Sequence, residues 1–124
     1  MLRGRVVIKA LLGPQVSEPT LEALVGLRIE PFLGDTPEAW QAMCARPATS
    51  MLNIPETLLR SVVHTNKLRE FARTHLVRVY PQGIRIDSSN LDPLQAWEHG
   101  AQIAALNVQK HGVRMRVNQA LFDR

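Results

Sequence analysis

Apolar positions along the chain fall into short runs whose spacing switches between that of strands and that of helices. Val6, Val7 and Ile8, bracketed by Arg5 and Lys9, form a β-branched run that predicts a strand of a buried sheet. Residues 11–50 hold five prolines, with Pro55 just beyond, and read as a breaker-rich connection containing short elements. Within it, Leu21, Leu24, Val25 and Leu27 have helical spacing after Pro19-Thr20, and Arg28 to Leu33 reads as extended. Asn53 before Ile54-Pro55-Glu56 supplies an N-cap, a proline in the first turn and a glutamate at the third position. A helix from about Ile54 is predicted, with Leu58, Leu59, Val62 and Val63 as its apolar face.

Leu76 to Tyr80 alternates apolar with polar and stops at Pro81-Gln82-Gly83, the pattern of a strand ended by a turn. Its period of two puts Arg78 and Tyr80 on one face of the sheet. After the polar loop Asp87-Ser88-Ser89-Asn90, Asp92-Pro93 opens a helix to about Gly100, Gln102 to Asn107 reads as a buried strand, and Val113 to Phe122 as a last extended run. Strand alternating with helix is the order of a parallel α/β sheet, in which ligands bind at the carboxyl ends of the strands, where Lys9 and Tyr80 stand. Three or four strands are too few to close a barrel, and no phosphate loop such as GxxxxGK[ST] or GxGxxG suggests a doubly wound sheet.

Composition narrows the partners. With 124 residues the chain has the length of one domain or part of one, and 45% hydrophobic against 21% charged residues is a globular balance. The longest uncharged stretches fall short of a membrane span, and no signal peptide is legible. A net charge of +4 favours anionic partners. The basic residues are scattered, however, and neither an aromatic base-stacking sheet nor a basic recognition helix is present, which argues against nucleic acid. The single Cys44 cannot pair internally and reads as a small buried apolar residue in a reduced compartment. His64, His75, His99 and His111 show no acid-base spacing, and Asp87 and Asp92 are explained by turn and N-cap duties, so neither a general base nor a metal site is assigned.

The run RVYPQGIRIDSSNLDPLQAWEHGAQIAALNVQ, from Arg78 to Gln109, resembles the Y-box half of eukaryotic phosphoinositide-specific phospholipase C. The ordered matches are Arg78, Tyr80, Pro81, Gly83, Arg85, Asp87, Ser88, Ser89, Asn90, Pro93, Trp97, Gly100, Gln102, Asn107 and Gln109. The HGAQ run at His99 to Gln102 is most similar to plant-type members, and Leu2 to Ala10 resembles the last strand of the family's X-box half. The resemblance implies a partial TIM barrel, incomplete at both ends. Residues 1–11 would end an X-box-like region, 12–50 would hold the X/Y connection and the start of the Y region, and 51–124 would be Y-box-like.

It also implies an activity: hydrolysis of phosphatidylinositol bisphosphate to diacylglycerol and inositol trisphosphate, with Ca²⁺ and two histidines. Those histidines and the Ca²⁺ ligands belong to the X half, so the resemblance assigns this chain no catalytic residue and no metal ligand. By match, Lys9 and Arg78 would bind headgroup phosphate, Tyr80 would pack on the inositol ring, and Asn53 would replace a hydrogen-bonding serine. A guanidinium forks onto phosphate oxygens and an ammonium supplies a point charge, which suits these roles. Leu11 stands where the family usually places a second basic residue, and Leu91 where it places an aromatic. The implied partners are a phosphoinositide headgroup at a membrane surface and the X-box half, in a cytoplasmic protein peripheral to the membrane. A non-catalytic binding or regulatory module, or a truncated gene product, is the alternative.

Overall fold

Five parallel strands form one sheet in sequence order, and the helices between them cover one of its faces. The computed structural model describes residues 6–12 and 18–123. Leu2 to Arg5 of the amino-terminal run, and Pro14, lie outside the described residues. The elements are β1 (Ile8–Ala10), α1 (Pro19–Leu24), β2 (Val25–Glu30), α2 (Pro37–Cys44), β3 (Ser50–Pro55), α3 (Glu56–Val62), α4 (Lys67–Phe71), β4 (Leu76–Tyr80), α5 (Pro93–Glu98), β5 (Ile103–Ala104) and α6 (Val113–Phe122). The sheet order is β1-β2-β3-β4-β5 with every neighbouring pair parallel, so the described residues form an open arc of five strands rather than three or four.

Alternation assigns the two faces. Leu52 and Ile54 of β3 and Val77 and Val79 of β4 are buried among Trp40, Met43, Leu59, Val62, Leu68 and Phe71 of the helix layer. Their neighbours Asn53, Arg78 and Tyr80 therefore point to the opposite face. Register carries that face outward, since Asn53 lies opposite Arg78, Met51 opposite Leu76 and Ile29, and Lys9 opposite Leu27. On this inner face Met51 is sealed while Ile103 is 39% exposed, and on the helix side Leu52, Ile54, Val77 and Val79 are sealed.

Local signals explain most elements. Glu18, Thr36 and Asp92 cap α1, α2 and α5 by accepting from Leu21 N (2.7 Å), Ala39 N (3.2 Å) and Leu94 N (3.1 Å), each with proline in the first turn. α5 ends in a Schellman motif, with Ala101 N donating to Ala96 O (3.0 Å) and Gly100 N to Trp97 O (2.9 Å). Gly100 has φ of 87°, and a Cβ there would meet the Ala72 Cβ at 3.0 Å, so both conformation and space require glycine.

Several expectations are corrected. Asn53 is not an N-cap: it lies inside β3, whose backbone pairs with β2 and β4, and α3 begins only at Glu56. The helix read through Leu27 ends at Leu24, because Val25 to Glu30 pair as a strand between β1 and β3. Val113 to Phe122 is helical rather than extended, and only Met115 of it is buried. The strand expected over Gln102 to Asn107 narrows to Ile103–Ala104. Cys44 is exposed, not buried, since Trp40 and Met43 are the residues α2 turns inward.

Candidate functional site

The carboxyl ends of β3 and β4 bring three of the four candidate residues together. Arg78 Nη1 donates to Asn53 Oδ1 at 2.7 Å across the paired strands. The Arg78 guanidinium also sits 5.5 Å from the centroid of the Tyr80 ring, two residues on along the same face. All three side chains are half-buried, so they are oriented yet reachable. A guanidinium has five N–H donors and Asn53 takes one; the others find no protein acceptor among the described residues. The arrangement is an oriented cation beside an aromatic face. Lys9 is exposed on the same face but on β1, two strands from Asn53 and, by the register, four residues short of it along the strands. Leu11, in place of a second cation, is 69% exposed.

The loop after β4 is built around a pair that local sequence reading gave other duties. Glu56, only 4% exposed, receives Arg85 Nη2 on Oε2 at 2.6 Å and Arg85 Nε on Oε1, while Gln82 N donates to Oε1 at 3.0 Å. The third arm of Arg85, Nη1, donates to Ser89 Oγ at 2.8 Å. Arg85 appears in the family motif, whereas Glu56 read only as a helix-start residue. The two stand 29 positions apart, beyond any periodicity, and only a fold-level pairing could have joined them. The hydrogen bond from Arg85 holds the Glu56 carboxyl below its ordinary range and raises the Arg85 guanidinium in turn.

That shift fixes a pH dependence. Between the ordinary carboxylate value of 4.5 and the lowered value in the folded state, the unfolded chain binds the extra proton, so stability rises with pH there. The contribution is complete above about 4.5 and is lost as pH falls through the folded value. Urea midpoints are expected to fall as the pH is lowered below 4.5, and the fall should be shallower in Glu56→Gln. Parallel curves for the two proteins would contradict this assignment.

The rest of the motif is structural. Asn90 Nδ2 donates to Asn107 O (2.9 Å) and Asn107 N to Asn90 Oδ1 (2.6 Å), while Asn107 Nδ2 donates to Ser89 O (3.2 Å). These bonds staple the loop after β4 to the loop after β5, a tie between two loops rather than within one. Gln102 accepts from Val77 N (2.8 Å) and donates to Ala72 O (2.7 Å), closing the start of β4. Leu91, in place of an aromatic, is a core residue. Among the histidines, His75 is buried, with Nε2 3.0 Å from Arg46 O. His99 lies 2.8 Å from Gln95 O and 3.1 Å from Val63 O, bridging α5 to the end of α3.

Among the described residues no group of three or more His, Cys, Asp or Glu side chains could hold a metal ion. The Ser89 hydroxyl and Lys110 Nζ (3.0 Å), together with Ser89 N (3.0 Å), press the Asp87 carboxyl well below the usual range, and Asp92 caps α5. The acidic groups among the described residues do not form a Ca²⁺ cage. A cavity of about 490 Å³ opens between the loop after β4 and α6, lined by Asp92, Leu94, Val113, Arg114 and Val117, away from all four candidate residues. No helix among the described residues is long and apolar enough to cross a membrane.

Known proteins share the sequence pattern and the fold of this chain. Residues 33–124 match the sequence pattern of the family described as "Phosphatidylinositol-specific phospholipase C, Y domain". The chain is 38% identical over 92 residues to 1-phosphatidylinositol 4,5-bisphosphate phosphodiesterase epsilon-1 of Caenorhabditis elegans, a match covering 74% of this chain and 5% of that protein. It is 42% identical over 73 residues to phosphoinositide phospholipase C 3 of Arabidopsis thaliana, covering 57% of this chain and 13% of the relative. The chain thus spans a small part of the length of these relatives. The crystal structure of L. pealei PLC21 superposes with a TM-score of 0.79 at 26% identity, over 96% of this chain and 18% of that one, so the five-stranded arc is part of a phospholipase C barrel. The family pattern covers most of the chain, the Asn53–Arg78–Tyr80 group stands at the strand ends, and the fold is shared: this chain belongs to the phosphatidylinositol-specific phospholipase C family, of which it carries the Y domain.

Proposed function

We propose that this chain is the headgroup-recognising part of a phosphoinositide phospholipase C, working in a barrel that hydrolyses phosphatidylinositol bisphosphate to diacylglycerol and inositol trisphosphate. The X-box half supplies the catalytic histidines and Ca²⁺ ligands in this reading, and the chain acts in the cytoplasm, peripheral to the membrane. The observation that carries it is the Arg78 guanidinium, fixed by Asn53 at 2.7 Å and set 5.5 Å from the Tyr80 ring centroid at the carboxyl ends of parallel strands. Arg78 forks onto a ring phosphate, the Tyr80 face covers the inositol, and Asn53 holds the fork in place and offers its amide to a neighbouring oxygen. Lys9, farther round the same face, adds a point charge. Two exposed isoleucines of the loop after β4, Ile84 at 80% and Ile86 at 96%, supply an apolar surface next to that polar one, which suits a lipid boundary.

The test is binding to phosphatidylcholine vesicles doped with phosphatidylinositol bisphosphate, against vesicles matched in charge with phosphatidylserine. The chain should prefer the former. Arg78→Ala should lose that preference by roughly ten- to a hundredfold, the size of a charge-assisted hydrogen bond to phosphate. Equal binding to both vesicles, or an unchanged preference in Arg78→Ala, would leave only nonspecific attraction of a +4 chain to an acidic surface.

A further inference from the structure

Arg85 is half-buried between two neighbours that are exposed. Its guanidinium turns inward onto Glu56, while Ile84 and Ile86 on either side of it project into solvent. Large apolar side chains this exposed contribute little to the folded chain, so their exposure calls for a cause outside its own packing.

We propose that the Glu56–Arg85 pair is a positioning clamp that holds Arg85 inward so that Ile84 and Ile86 project together toward lipid at the end of the strand carrying Arg78 and Tyr80. The proposal rests on the headgroup reading above. Two features support it. First, Glu56 directly continues the strand that contains Asn53, so one short segment both fixes Arg78 and anchors the isoleucine loop. Second, the turns of the loop hinge on Arg85. Its backbone N donates to Gln82 O (3.1 Å), its carbonyl accepts from Ser88 N (3.0 Å), and Ile86 N donates to Ile84 O (2.9 Å). Ser88 completes the bend at φ of 56°, a left-handed conformation that few non-glycine residues adopt. A buried ion pair is weak as a source of net stability and stronger as a device that specifies one geometry.

The clamp acts through the isoleucines, and that makes it testable by coupling. Partition of the chain onto phosphatidylcholine vesicles containing phosphatidylinositol bisphosphate is measured for four proteins: wild type, Glu56→Gln, Ile84→Ser/Ile86→Ser, and the combination. Removing the isoleucines should lower partition about tenfold or more, and Glu56→Gln should lower it comparably. The combined variant should then bind no worse than Ile84→Ser/Ile86→Ser alone, because nothing remains for the clamp to present. Independent losses that multiply would overturn the proposal and leave the pair a purely structural one. Absence of selectivity in the wild type would instead sink the headgroup reading, and the coupling would still be read on plain phosphatidylcholine. Should circular dichroism show that Glu56→Gln does not fold, Arg85→Lys, which keeps the charge but cannot fork, is judged by the same criterion.

Discussion

Phe71→Ala is expected to lower the unfolding free energy by about 3–5 kcal/mol, a large part of the roughly 5–15 kcal/mol available to a domain of this size. The ring is 1% exposed. It stacks on His75 with centroids 4.3 Å apart and meets Trp40 edge-on at 6.4 Å, and Trp40 in turn meets Phe32 at 5.7 Å. These rings join α2 to α4 and to the entry of β4, so truncation removes the stacking partner of His75 and one of the two aromatic contacts of Trp40. Closing the cavity would require His75 to move, yet its ring nitrogens face Thr74 Oγ1 at 2.9 Å and Arg46 O at 3.0 Å. Incomplete relaxation is what places the cost at the upper end for such substitutions. Urea unfolding at neutral pH reads the change directly, and a loss below about 1.5 kcal/mol would mean that the α2–α4 packing collapses freely around the gap.

β4 was legible because one of its faces is sealed and the other is not: in LVRVY the buried Val77 and Val79 alternate with half-buried Leu76, Arg78 and Tyr80. α5 was legible because Asp92-Pro93 is a cap followed by a first-turn proline, and the cap bond is present. The same signal stands at Thr36-Pro37-Glu38, yet α2 was absorbed into a proline-rich connection, since five residues of that segment break structure and only Trp40 and Met43 are buried to mark a helix. β3 was hidden for the opposite reason. Ser50, Met51 and Leu52 are all buried, which erases alternation, and the helix-start residues Asn53, Pro55 and Glu56 follow at once. In α6, Val113, Met115 and Val117 repeat with a period of two, the mark of a strand, but only Met115 is buried and Gly112 gives no side-chain cap to betray the helix.

The candidate site divides along the same line. Arg78 and Tyr80 share a strand, so their common face follows from period two alone, whereas Asn53 joins them only once β3 is a strand in register with β4. Sequence reading placed Asn53 at a helix cap, a position from which it could not have fixed Arg78. Lys9 belongs to the same face, but its separation from Asn53 by β2 is a property of sheet order that no local pattern carries.

Glu56→Ala is expected to destabilise the chain by about 3 kcal/mol, because it removes one partner of a largely buried pair and strands the other. Arg85 would lose both acceptor oxygens and keep only Ser89, and Gln82 N would lose its acceptor. Leaving a buried donor unmade costs more than the bond returns when made. The informative comparison is therefore Glu56→Leu with Arg85→Met, which fills the same space without charge. If the pair exists for stability, this double variant should be as weak as Glu56→Ala in urea. The expected result is recovery of most of the lost stability together with loss of vesicle partition, since an apolar contact fills the volume but has no fork to hold the turns between Gln82 and Ser89. Full recovery of both stability and partition would assign the loop geometry to its backbone alone and leave Glu56 and Arg85 no part in vesicle binding.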